Sequence, residues 1–257
     1  MLKVLLSNDD GVHAKGIDIL YQELIKYFDV TVVAPDRNCS GASSSLTLLN
    51  PIRAEKLSNG FLSVNGTPTD AVHLGVSELI TDKPDIVVAG INKGENLGDD
   101  TVYSGTVAAA IAGRYLGMPA IAVSLVGKDE NYYDTAAIIT RKIIQQLVKS
   151  PLPIDQILNV NVPDVPFEAL AGMKVTRLGH RHQAEAMIKK EDTWHRDVYW
   201  YGKLGQERDN AQGTDFHALT QNYVSMTPIT VDMTSHQHIE PIKKWLNEIT
   251  DNEGFFK

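Results

Sequence analysis

The sequence predicts an α/β fold, a doubly wound and mostly parallel sheet with helices on both faces. Two observations predict it: apolar runs of strand length recur through the first 160 residues, and amphipathic helical stretches fall between them. Lys3–Ser7 (KVLLS) and Val30–Ala34 (VTVVA) are the first two strands. Between them Ile17, Leu20, Tyr21, Leu24, Ile25 and Phe28 repeat at helical spacing, so the three segments form a βαβ unit with parallel strands. Arg53–Leu57 and Leu62–Val64 flank Ser58-Asn59-Gly60, a hairpin signal, and Thr67-Pro68 should open the next helix. Asp85–Ala89 and Ala120–Ser124 read as buried strands. The Ala- and Val-rich helix Gly105–Leu116 between them is apolar nearly all round and belongs against the sheet. Residues 133–149 form a helix with Ile139, Ile143, Ile144 and Leu147 on one face, and Ile157–Val162 is one more strand.

Near Pro163 the alternation stops. Residues 180–215 are polar, rich in aromatics and without clear period, which is long for a loop in a compact domain and suggests an arm, a lid or a contact between subunits. Tyr199-Trp200-Tyr201 and Tyr223–Met226 read as strands. Ile239, Ile242, Trp245, Leu246 and Ile249 mark a terminal amphipathic helix. The division that follows is an α/β catalytic core over 1–165 and a contiguous C-terminal oligomerisation region over 166–257, made of an extended arm and a closing helix.

With 257 residues the chain can bury roughly 70–75% of its unfolded surface, so folding needs no disulfide or metal. Lys and Arg number 24 against 32 Asp and Glu, a net charge of −8, which opposes a nucleic-acid-coating role but leaves a small phosphorylated ligand open. No apolar run reaches the ~20 residues of a membrane span, and the short apolar start runs straight into acidic residues, unlike a signal peptide. A single cysteine, Cys39, fits a reducing compartment. The expected location is the cytoplasm, with no membrane and no nucleic-acid polymer as partner.

In an open parallel sheet, ligands bind outside the carboxyl ends of the strands. There the first strand delivers Asn8-Asp9-Asp10-Gly11, the second delivers Pro35–Ser45 with Ser40 inside it, and the strand at 85–89 delivers Gly90–Asn96 followed by Ser104-Gly105-Thr106. Two adjacent carboxylates raise each other's pKa and call for a counter-charge. Oxygen ligands select a hard divalent cation, Mg²⁺ or Mn²⁺, and Ser40 and Asn92 can complete the set beside Asp9 and Asp10. The alternative is a simple helix cap. A Gly-containing helix start at Ser104–Thr106 offers N–H groups and hydroxyls to a phosphate, or is an ordinary Ser N-cap. A dinucleotide fingerprint and a P-loop are both absent after the first strand.

The runs SNDDGVHAKGI, VVAPDRNCSGAS, GTPTDAVHLG, VAGINKGENLGDDTVYSGTVAAA and TDFHALTQNYVSMTPITVD resemble the SurE (survival protein E) family of metal-dependent nucleotidases. The resemblance covers most of residues 1–125 and returns at 214–232. It implies a Rossmann-like core, one divalent metal, and hydrolysis of nucleoside 5′- or 3′-monophosphates, with short polyphosphates cleaved by some members. It implies homodimers or homotetramers built through an extended C-terminal hairpin and exchanged terminal segments. Carried over by position, the metal ligands are Asp9, Asp10, Ser40 and Asn92, and the phosphate-binding positions are Asn96, Ser104, Gly105 and Thr106. Asp9 or Asp10 is the group expected to help deprotonate the attacking water. One departure is Cys39 ahead of Ser40, where arginine is common. A nucleotide-binding regulator without turnover is the competing function.

Overall fold

The structure, a computed structural model, describes residues 1–250. Lys3–Ser7 (β1) leads through Lys15–Leu24 (α1) to Asp29–Pro35 (β2), and the two strands pair in parallel with Val4 opposite Val30. The Asn-Gly turn joins Ala54–Lys56 (β3) to Leu62–Val64 (β4) as an antiparallel hairpin, and β4 then extends the sheet parallel to β2. Pro68–Leu74 (α2) opens on a capping box in which Thr67 and Asp70 exchange side-chain and backbone hydrogen bonds. Burial raises the Asp70 pKa, but hydrogen bonds from Thr47 and Thr67 outweigh it and hold the carboxyl below its usual value.

Ile86–Lys93 (β5), Gly105–Ala112 (α3), Ala120–Val126 (β6), Tyr133–Lys149 (α4) and Ile157–Pro163 (β7) complete the parallel set. The α3 helix stops at Ala112, four residues before the sequence pattern does, with Gly113 as its C-cap. A Cβ at Gly113 would lie 2.3 Å from Val87, so the chain needs glycine to turn that close to the sheet.

Beyond Gly172–Val175 (β8) the irregular stretch is a two-tier arm. His180–Arg181 (β9) pairs antiparallel with Glu207–Asp209 (β12), and further out Ile188–Glu191 (β10) pairs with Asp197–Trp200 (β11). The Tyr199-Trp200-Tyr201 reading overlaps β11; β9, β10 and β12 are short, mostly exposed and carry no hydrophobic period. Asp215–Thr220 (α5) and Tyr223–Ile229 (β13) return to the core, and Ile239–Thr250 (α6) follows. Ile239, Ile242, Trp245 and Leu246 form an apolar stripe along α6 that stays exposed.

Among the described residues the main sheet has nine strands in the order β3-β4-β2-β1-β5-β6-β7-β13-β8. The six central strands are parallel. Only β3 at one edge and β13 with β8 at the other run opposite to them. One face is covered by α1 and α4, where Ile17, Leu20 and Ile144 meet Val4, Leu6 and Val123. The other is covered by α2 and α3, where Val72 and Val107 meet Leu5, Val33 and Ala122.

The order reverses between β1 and β5, since β1 steps to β2 under α1 while β5 steps the other way, to β6, under α3. Those two crossovers share one hand. The step from β6 to β7 continues in the direction of β5 to β6, yet its helix α4 lies on the α1 face, so it has the opposite hand. Parallel crossovers are right-handed in about 98% of cases, which makes β6–α4–β7 a left-handed one. This leaves the α3 side of β7, carrying Asn159 and Asn161, to be covered by the loop after β5.

Candidate active site

The carboxyl ends of β1, β2 and β5 are laced together by backbone contacts. Asn8 at the end of β1 donates its side-chain amide to Gly11 O at 2.9 Å, and Gly11 turns at φ +102°. A Cβ there would stand 3.0 Å from Arg37, so a glycine brings the β1 loop this close to the β2 loop. The Val12 N–H reaches Pro35 O at 2.8 Å and the Cys39 N–H reaches Asp9 O at 2.7 Å. Ser40 follows Cys39 in this loop, is exposed, and donates its N–H to Asn38 Oδ1 at 2.8 Å. The β2 loop is tied in turn to the segment ahead of α3, through Ser43 Oγ to Val102 O at 2.7 Å.

The sequence reading ended the β5 strand at Ala89. It continues to Lys93, because a register slip lies between Ala89 and Asn92: β5 advances three residues there while β6 advances two. This bulge reverses the side-chain alternation. Ile91 joins the core under α1 and α4, and Asn92 lies opposite Ser124 on the α3 side. Gly90 permits it at φ +136°, where a Cβ would meet Val123 O at 2.3 Å, and the Gly90–Ile91 peptide is cis. A lone glycine in an apolar strand is the sequence signal for such a bulge. Asn92 donates its amide to Gly94 O at 2.9 Å, a bond that does not use its Oδ1. The neighbouring Lys93 N–H reaches Asp10 Oδ2 at 2.9 Å.

Helix α3 delivers its first turn to the same place. Ser104 caps it, accepting the Val107 N–H at 3.0 Å, and its hydroxyl hydrogen is not used by that cap. The Thr106 hydroxyl donates to Asp9 Oδ1. A Cβ built on Gly105 would lie 2.7 Å from Asp9 Cβ and 2.9 Å from Asp9 Oδ2, so the helix start rests directly on the carboxylate. Asp9 is 4% exposed. Burial is the largest influence on it and pushes its carboxyl up to about 6; the Thr106 hydroxyl pulls it down and the charge of Asp10 adds to the rise. Burial also raises Asp10, with the Lys93 N–H opposing and Glu130 reinforcing.

Residues 4–185 match the model of the family described as survival protein SurE. The chain belongs to the SurE family. The SurE protein from Aquifex aeolicus, solved by crystallography, is similar with a TM-score of 0.83 at 39% identity, over 95% of this chain and 99% of that one. SurE proteins are metal-dependent phosphatases and nucleotidases, so the chain is read as a hydrolase of that class.

The residues of this SurE chain fit a hard cation. Burial leads the influences on Asp9, and among the described residues none of the leading ones is a positive side chain. Ser40 and Asn92, the neutral oxygen ligands expected from the sequence, follow and precede residues whose N–H groups reach Asp9 O and Asp10 Oδ2. The sign of the Asp9 shift gives a test of the buried charge. Its folded pKa exceeds the unfolded value of 3.8, so the metal-free protein loses stability as pH rises through about 4 to 6. In EDTA, Asp9→Asn should melt at the same temperature as wild type at pH 4 and several degrees higher at pH 7.5, a difference of about 2–3 kcal/mol. Equal melting temperatures at pH 7.5 would remove the argument.

Other expected site residues take different parts. Asn96 lies on the α3 side of the sheet; its side-chain amide donates to Oγ of Ser124, the residue opposite Asn92, at 2.7 Å and its backbone is gripped by Asn159 and Asn161. Thr106 has its hydroxyl engaged by Asp9, so its backbone N–H is what it offers a phosphate. Arg181, at the start of the irregular stretch, binds Glu95 and Asp100 and covers the Phe216 ring. Asp232 and His236 pair with each other at 2.6 Å.

Proposed function

We propose that this SurE protein hydrolyses nucleoside 5′- and 3′-monophosphates to nucleoside and inorganic phosphate, with short polyphosphates as a further substrate class. The contact between the Asp9 carboxylate and the first turn of α3 supports it. A cation site and an anion site share one wall, the juxtaposition a phosphate ester needs.

Phosphate monoester hydrolysis requires up to about 10²¹-fold acceleration, some 28–29 kcal/mol in total (roughly 1.36 kcal/mol per decade). A single well-placed donor supplies about 3–4 kcal/mol, so several groups must act together. Asp9, Asp10, Ser40 and Asn92 hold one divalent cation, Mg²⁺ or Mn²⁺, which supplies Lewis-acid polarisation of the phosphoryl group and acidification of water. The N–H groups of Gly105 and Thr106 and the Ser104 hydroxyl receive the phosphoryl oxygens at the positive end of α3. Ser104 is oriented for this by its cap bond to Val107. Asp9 or Asp10 accepts the proton of the attacking water.

The exposed stripe of α6 and the exposed Trp194, Trp200 and Tyr201 of the arm support a homodimer or homotetramer in solution. Among the described residues no helix is long and apolar enough to cross a membrane. The lone Cys39 thiol fits the cytoplasm.

The deciding experiment is phosphate release from a panel of nucleoside 5′- and 3′-monophosphates and short polyphosphates, in Mg²⁺, in Mn²⁺ and in EDTA. Metal-dependent release from the monophosphates, lost in EDTA, is the expected result. Binding of nucleotide without release in either metal would establish the regulatory reading instead.

A further inference from the structure

We infer that Asp215, in the C-terminal region, is a positioning residue for the phosphate-binding turn of α3, acting through Gly98; this rests on the phosphohydrolase reading above. The Asp215 carboxylate is fully buried, and its two oxygens bind two distant backbone stretches. Oδ2 accepts the Gly98 N–H and Oδ1 the Gly179 N–H, each at 2.8 Å. Neither stretch could come so close with a side chain. A Cβ on Gly98 would meet Gly179 O and the Phe216 ring at 2.8 Å, and one on Gly179 would meet Phe216 at 2.4 Å. Gly98 also sits at φ +51°, a conformation glycine adopts at little cost. The joint is therefore built from two obligatory glycines, one aromatic ring and one buried acid.

What it holds is the segment that leads into α3. From Gly98 a 3₁₀ turn runs to Tyr103, in which Thr101 Oγ1 donates to Gly98 O at 2.9 Å and the Ser104 N–H reaches Thr101 O at 3.3 Å. Ser104 is the N-cap of α3, so the position of Gly98 is passed through one turn to the donors at Gly105 and Thr106. Asn161 anchors the other end of the segment, taking both the N–H and the carbonyl of Asn96 at 3.0 Å. On either side of these anchors Arg181 of the arm binds Glu95 and Asp100. The loop thus derives its shape from side chains of β7, β9 and α5, with Ser43 of the β2 loop holding Val102 O and Tyr103 O, and not from a strand ladder. A displacement of about 1 Å at a site of this kind costs on the order of 10²-fold in rate.

Asp215→Asn tests it, because one arm of the amide presents N–H to a backbone N–H that needs an acceptor. Ile144→Ala, in the core under α4, serves as a control destabilised without touching the loop. The readouts are kcat/KM for p-nitrophenyl phosphate, the inhibition constant of inorganic phosphate, and the Mn²⁺ concentration for half-activation, all taken well below each variant's melting temperature. Asp215→Asn should lower kcat/KM by about 10²-fold and weaken phosphate inhibition at least tenfold. The Mn²⁺ requirement should stay within threefold, and Ile144→Ala should leave all three near wild type. Retention of kcat/KM and phosphate inhibition within threefold overturns the inference, as does an equal loss in Ile144→Ala. The synthetic ester keeps the test independent of the nucleotide assignment: a wild type that cleaves it but no nucleotide refutes the substrate proposal and leaves Asp215 testable. Should neither be cleaved, calorimetric phosphate binding in Mg²⁺ replaces turnover, and tenfold weaker binding in Asp215→Asn is the expected result.

Discussion

Asp9→Asn should reduce phosphate release by at least three decades in metal-replete buffer, and Asp10→Asn by a similar factor. The substitution keeps the shape of the side chain and its ability to accept the Thr106 hydroxyl, so the fold has no reason to change. What it removes is one negative charge from a buried site. A hard cation then loses an anionic ligand, and the water loses one of its two proton acceptors. The same variant is expected to be more stable than wild type in EDTA near neutral pH. Activity and metal-free stability thus move in opposite directions, which a general loss of folding cannot mimic. Near wild-type turnover of Asp9→Asn with saturating Mn²⁺ would refute the assignment of the acidic pair.

Gly105→Ala is the second large effect, and here the added atom is a single methyl. Gly105 has ordinary helical geometry, and alanine is the better helix former, so α3 itself tolerates it. The new Cβ, however, would sit 2.7 Å from Asp9 Cβ, near the rigid end of β1 and not at the tip of a flexible chain. Either α3 or Asp9 has to retreat by roughly 1 Å, separating the two halves of the site. The expected loss in kcat/KM is about 10²- to 10³-fold with a melting temperature within a few degrees of wild type. Steady-state kinetics beside a thermal melt decides it, and activity within threefold of wild type would show that α3 does not lean on Asp9 in solution.

Both effects arise where residues far apart in sequence touch, and that marks the limit of reading along the chain. The parallel core was legible because hydrophobic period is local: KVLLS, VTVVA and the helix at 133–149 each carry their own signal. The hairpin at Asn59-Gly60 and the capped start at Thr67-Pro68 were legible because turn chemistry is local too. The oxygen-rich loops could be assigned to one crevice, since strand order in such sheets places ligands at the carboxyl ends. The bulge at Gly90 was within reach but missed, for an apolar strand interrupted by one glycine reads equally as a strand that stops.

By itself, then, the amino-acid order determined the layered α/β architecture, the acidic pair, the helix start that faces it, and the family. Only the tertiary structure decided which face α4 covers, that Thr106 turns its hydroxyl to Asp9, and that Asp215 holds both Gly179 and Gly98, the latter 117 residues away in the chain. The reason is the range of the forces involved. Propensity, capping and period act over a few neighbours. Burial of a charge, or exclusion of a Cβ by a distant backbone, depends on what the folded chain brings within 3 Å, and no local pattern records it.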